Sequence, residues 1–102
     1  DGTDPMSQAV DNLSAETGSL FVIAAGNTGR EGIGAPGAAD AALTVGAVDK
    51  SDKLAYFSSR GPRFGSTGLK PDLTAPGVGI NAARSQFANK GSGSYFSMNG
   101  TS

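Results

Sequence analysis

Apolar and polar positions repeat along this chain with a period that changes at Gly18. Before it, Met6, Ala9, Val10, Leu13 and Thr17 recur at helical spacing. Thr3 or Asp4 can cap a helix there, Pro5 suits its first position, and Gly18 suits the stop. The pattern predicts a helix from Asp4 to Thr17. Directly after it, Leu20 to Ala25 form a short, continuous apolar run. Such a run is expected of a strand buried on both faces of a parallel sheet. Helix, tight turn and buried strand together make half of a βαβ unit.

The remainder reads as short apolar segments between long turns. Residues 26–40 are a loop rich in Gly, Ala and Pro, and Ala42–Val48 is a second buried strand. Asp49–Asp52 is a turn, and Leu54–Ser58 reads as a short strand. A long turn follows around Arg60–Pro62 and Phe64–Gly68. Leu73–Ala75 is a brief strand closed by Pro76 and Gly77, and Gly79–Ala83 is another. Residues 84–93 are a polar loop, and Tyr95–Met98 leads to the end of the sequence. There is no internal repeat and no convincing linker. The expectation is one α/β unit over residues 1–102, with little helix after residue 18.

Composition narrows the function classes. The length of 102 residues suits one small domain. Hydrophobic residues at 37% and charged residues at 17% point to a soluble, globular class rather than a disordered one. A net charge of −1 offers no basic stripe to a nucleic acid or an anionic membrane. No apolar run approaches the ~20 residues of a membrane-spanning helix. There is no signal-peptide pattern and residue 1 is Asp, which reads as an excised or processed segment. The absence of Cys excludes thiolate chemistry and disulfides, and the absence of His excludes a complete Ser–His–Asp set within these residues. Gly, at 16 residues, is the informative excess, because it collects where turns are tight or a ligand lies against the main chain.

Two short motifs can carry chemistry. Ala24-Ala25-Gly26-Asn27 ends the first strand, and ligand crevices lie beyond the carboxyl ends of parallel strands. Asn27 can donate its amide into such a crevice, or simply form an Asx turn with Thr28-Gly29. Asn99-Gly100-Thr101-Ser102 is a small-residue turn that can expose a serine hydroxyl beside backbone N–H groups. It is equally an ordinary turn, and Asn99-Gly100-Thr101 also fits a glycosylation acceptor. Phe57-Ser58-Ser59-Arg60-Gly61-Pro62 and Lys70-Pro71-Asp72-Leu73-Thr74-Ala75-Pro76-Gly77 read mostly as scaffold turns. No phosphate-binding glycine pattern is present, which argues against a nucleotide-binding unit.

In this order, Ala-Ala-Gly-Asn, Val-Gly-Ala-Val, Phe-Ser-Ser-x-Gly-Pro, Pro-Asp-x-x-Ala-Pro-Gly and Asn-Gly-Thr-Ser closely resemble the subtilisin-like serine proteases over nearly the whole chain. The resemblance implies part of a three-layer, mostly parallel-sheet α/β catalytic domain with long Gly-rich loops. By resemblance, Ser102 matches the nucleophile and Asn27 the side-chain donor of the oxyanion hole, paired with the Ser102 N–H. Ala24, Ala25 and Gly26, with the loop around Gly32–Pro36 including Gly34, match one wall and the floor of the pocket before the scissile bond. Their small size predicts an open pocket that accepts sizeable apolar side chains. Met98 and Asn99 match leaving-group-side contacts, and Phe57 an aromatic on that side. Asp72, with the carbonyls of Gly37, Ala39 and Ala42, matches a weak structural calcium or sodium site, while the chemistry itself needs no cofactor.

The family's Asp and His and its other pocket wall are expected upstream of residue 1, and its long helix downstream of Ser102. These residues alone are therefore expected to be inactive, and the partners are a protein or peptide substrate and the N-terminal part of the domain. Self-association through an unpaired sheet edge, a secreted location and, as an alternative, a non-catalytic binding module complete the expectations.

Overall fold

A computed structural model describes residues 1–102. Its elements are helix α1 (Pro5–Thr17), strand β1 (Val22–Ala24), a single 3₁₀ turn (Gly29–Glu31), and strands β2 (Leu43–Val48), β3 (Leu73–Pro76), β4 (Ile80–Ala83) and β5 (Tyr95–Met98). The helix begins where the sequence predicts. The Asp4 carboxylate accepts from the Ser7 N–H at 3.0 Å and the Ser7 hydroxyl at 2.7 Å, and Pro5 opens the first turn. Gly18 ends it at φ +71°, a conformation that suits glycine, and donates to the Ser14 carbonyl at 2.9 Å.

β1, β2 and β3 form a parallel sheet in that order, with Val22 opposite Leu43 and Val45 opposite Leu73. β4 and β5 form a separate antiparallel hairpin with Ile80 opposite Met98. Parallel strands need long returns. Here the returns are residues 25–42 and 49–72, and they run as loops and turns rather than as helices.

The core is small and built largely of small residues. Val10 of the helix packs with Ala39 and Ala42, against partly buried Phe21 and Ile23. Ala25, Ile33, Ala38, Ala47 and Ala55 are also buried. With side chains this short, backbone segments can approach closely, and several of the buried residues lie in loops.

Two expectations are corrected. The Leu20–Ala25 run is not a strand buried on both faces. Only Val22–Ala24 is strand, and Leu20 and Val22 are 66% and 64% exposed. β1 lies at the edge of the sheet, with β2 on one side only. The second correction is Leu54–Ser58, which is a set of turns with one bridge, Leu54 to Val48. Both sides of β2 are already taken by β1 and β3, so this segment crosses the end of β2 instead. Ala55 donates to the Ala47 carbonyl at 2.9 Å, and the buried Ser58 hydroxyl accepts from the Ala47 N–H at 2.9 Å. The Asp49 carboxylate shapes the preceding turn by accepting from the Lys53 amide and then the Ser51 amide, which hold it below the usual carboxylate value.

Candidate functional site

The carboxyl ends of β1 and β3 bring the two chemical motifs together. Past β1, the Ala25 N–H still donates to the Val45 carbonyl at 2.9 Å, and then the chain leaves the sheet at Gly26. Gly26 has φ +108°, and a side chain there would meet the Ser59 hydroxyl at 2.8 Å. The Gly26 carbonyl accepts from the Ser59 N–H at 2.8 Å, and the Ser59 hydroxyl accepts from the Thr28 N–H at 3.1 Å. The turn holding Asn27 is thus fixed from below by a buried serine.

Past β3, Gly77 makes the corresponding exit. A Cβ at Gly77 would lie 2.5 Å from the Gly100 carbonyl oxygen and 2.7 Å from the Ala47 side chain. Only glycine lets the terminal turn dock this closely. The Gly100 N–H donates to the Gly77 carbonyl at 2.9 Å, and the Asn99 side-chain carbonyl accepts from the Gly79 N–H at 2.7 Å.

Thr101 joins the two turns across the chain. Its N–H and its hydroxyl both donate to Asn27 Oδ1, at 2.9 and 3.0 Å. The same hydroxyl accepts from the Gly26 N–H at 3.1 Å. Both bonds fall on the oxygen of the Asn27 amide, so its orientation is set and Nδ2 keeps its donors for another partner. The simple Asx turn with Thr28-Gly29 is therefore not what Asn27 makes.

A cavity of about 580 Å³ lies beside this junction, and Asn27, Met98, Asn99, Gly100 and Ser102 are all in its wall. β4 and β5 add Ile80, Ala82 and Phe96 to it, with Arg84 as its charged member. A second cavity of about 200 Å³ is lined by Ala24, Val45, Ala75, Thr101 and Ser102 among others. Ser102 borders both and is exposed. An exposed hydroxyl and a pre-oriented amide donor on one concave wall are the parts needed to attack a carbonyl and hold the oxyanion that results.

Asn27, Met98, Asn99 and Ser102 thus come together as expected residues of one site, and Ala24 joins through the smaller cavity. Ala25, Gly26, Gly34 and Phe57 line neither cavity. Ala25 is buried beneath the turn, Gly34 accepts from the Ala38 N–H, and Phe57 stacks edge-on against Tyr56 at 5.5 Å. Thr101 and Gly77 have roles that the motifs did not announce. The signal for Thr101 lay inside Asn-Gly-Thr-Ser, where a side chain able both to donate and to accept stands beside the serine.

The residues matched to a cation site are occupied by the chain's own donors. The Ala42 carbonyl and Asp72 Oδ2 both accept from the Lys70 ammonium, at 2.7 and 2.8 Å. The Gly37 carbonyl accepts from the Thr44 hydroxyl at 2.6 Å, and the Ala39 carbonyl from the Ala42 N–H at 3.3 Å. Burial pushes the Asp72 carboxyl up, but the Lys70 and Thr44 hydrogen bonds and the lysine charge outweigh it, leaving the carboxyl below its usual value. Residues so engaged do not fit a metal ion, which needs several free oxygens converging on one point.

The family model described as the subtilase family matches residues 1–102. Serine protease AprX of Bacillus subtilis is 38% identical over 97% of this chain and 26% of its own length. Subtilisin DY of Bacillus licheniformis is 37% identical over 99% of this chain and 33% of its own. Pyrolysin of Pyrococcus furiosus is 39% identical over 78% of this chain and 8% of its own. Among solved structures, the prenylagaramide maturation protease PagA superposes with a TM-score of 0.72 at 29% identity, over 92% of this chain and 30% of that one. The chain spans a third or less of the length of these relatives.

Proposed function

The chain belongs to the subtilase family of serine proteases, and on that premise we propose that it carries the nucleophile and the oxyanion hole of a serine endopeptidase. Ser102 attacks the peptide carbonyl. Its proton passes to a histidine outside these residues, since none of the 102 is His. The tetrahedral oxyanion is held by Asn27 Nδ2 and the Ser102 N–H. The base then protonates the leaving amine, and water releases the acyl group from Ser102. Met98 and Asn99 border the leaving-group side. Subtilase membership also favours peptide substrates and an extracellular place of action. No helix of the chain is long and apolar enough to cross a membrane.

The observation that supports this reading best is the pinning of Asn27 Oδ1 by Thr101, beside Ser102. It fixes the amide orientation before any substrate arrives, which is how an oxyanion donor becomes effective. The test is Asn27→Leu in the full-length protein. The expected result is a fall of about 10²–10³ in kcat with KM little changed, the magnitude known for such a donor in subtilisin itself. An unchanged kcat sinks the assignment. A serine-directed fluorophosphonate should label Ser102 in the full-length protein and not in these 102 residues alone, because an unassisted hydroxyl is a poor nucleophile. No labelling of the full-length protein favours a binding module instead.

A further inference from the structure

We propose that the Lys70 ammonium is a resident cation, built into the chain at the place where the family resemblance puts a metal ion. Three observations carry this. The Lys70 side chain is only 6% exposed, so its charge is not there for solvent. Its ammonium joins two acceptors from different segments, the Ala42 carbonyl just before β2 and Asp72 Oδ2 just before β3. Asp72 is in turn tied to Thr44 of β2 through both backbone and side chain. Its N–H donates to the Thr44 carbonyl at 2.8 Å, and its Oδ2 accepts from the Thr44 N–H at 2.7 Å.

The physical need for a positive charge here is plain. Asp72 Oδ2 and the Ala42 carbonyl converge at the start of two adjacent parallel strands, and their partial and full negative charges repel. A metal ion relieves such repulsion in one way, and an ammonium on a tether in another. The tethered charge is always present, whatever the salt or chelator around it. The Lys70 backbone is itself held by a close approach of Gly61, where a side chain would overlap the Lys70 carbonyl. Lys70 thus staples the starts of β2 and β3 without a bound ion.

The consequence is that removing the ammonium should create a cation requirement that the parent protein lacks at this place. Lys70→Met takes the ammonium from the Ala42 carbonyl and from Asp72, which keeps its Thr44 N–H donor and is 37% exposed, so the loss is that of a half-buried pair and a stranded acceptor. The experiment compares thermal unfolding of the full-length protein and its Lys70→Met variant after chelation, then with added calcium chloride, sodium chloride, or choline chloride at matched ionic strength. Tm should fall by about 5 °C in the variant. Calcium or sodium, and not choline, should restore a large part of that loss beyond any response of the parent. The double variant Lys70→Met/Asp72→Asn, with no charge left to balance, should show no such extra response. Should Lys70→Met not fold, Lys70→Gln prepared in calcium gives the same readout, with a Tm that drops on chelation more than the parent's. A fall in Tm that no cation restores, or no fall at all, overturns the proposal.

Discussion

The parallel sheet and the β4–β5 hairpin meet at one site but are built on different terms. β2 has neighbours on both sides, and four of its six residues are buried. β4 is exposed along all four residues, and in β5 only Phe96 is half-buried. The sheet presents Asn27 from a turn fixed by the buried Ser59. The hairpin brings in Met98–Ser102 and fastens them with a few hydrogen bonds, from Gly100 to Gly77, from Gly79 to Asn99, from Thr101 twice to Asn27, and from Gly26 to Thr101. Stability and chemistry are therefore separable here. Damage in the sheet should unfold the protein, whereas damage at the junction should misplace reacting groups in a protein that stays folded.

The largest effect that sharpens this contrast is expected in the sheet. Thr44 is fully buried, and its hydroxyl donates to the Gly37 carbonyl at 2.6 Å. Thr44→Val keeps the shape and strands that carbonyl without a donor. A buried acceptor left in this way costs about 1–3 kcal/mol. Denaturant melts of the full-length protein should show a loss of that size, with kcat and KM of the remaining folded enzyme close to the parent's. A kcat loss without a stability loss breaks the comparison.

Thr101→Val is the matching change at the junction, and its effect should be smaller and of the other kind. The valine keeps the backbone bond from residue 101 to Asn27 Oδ1 but loses the hydroxyl that also reaches Gly26. Asn27 then holds its orientation by one bond. A loss of about tenfold in kcat is expected, roughly 1.4 kcal/mol in the barrier, with KM and Tm nearly unchanged. A fall in Tm as large as that of Thr44→Val, with kcat intact, would make Thr101 a structural residue and dissolve the distinction.

The sequence made the helix plain, because its cap, its Pro5 and its Gly18 stop are local signals that tertiary packing had no reason to override. β2 was legible as a strand from its apolar run, and here β1 and β3 do flank it. β1 was not. An apolar run does not say whether both its faces will be covered, and Leu20 and Val22 remain exposed at an edge. Leu54–Ser58 misled because a strand pattern does not reveal that both sides of β2 are already filled. At the site, Asn27 and Ser102 were found as motifs. Their bridge through Thr101 spans 74 positions, and no local pattern encodes a contact at that distance. Lys70 was read as part of a scaffold turn, since nothing in Lys-Pro-Asp says that the ammonium turns inward to the Ala42 carbonyl.

The smallest expected effect lies at the start of α1, which lines neither cavity. The Ser7 hydroxyl and then the Ser7 N–H hold the Asp4 carboxyl below its ordinary value of 3.8. A carboxyl lowered by folding stabilises the native state above the unfolded value, and that contribution fades as pH falls through the folded value. Asp4→Ala should therefore lower Tm slightly at pH 7, and the gap to the parent should close as pH drops below about 4. Asp4→Asn, which can still cap the helix, should track the parent at neutral pH. Parallel melts across this range by circular dichroism read the difference directly. Because α1 packs through Val10 against Ala39 and Ala42 of the loop before β2, and lines neither cavity, kcat should be the same in all three proteins. A kcat that falls with the cap would mean that the helix sets the position of Asn27 through the sheet, and that the two regions are coupled after all.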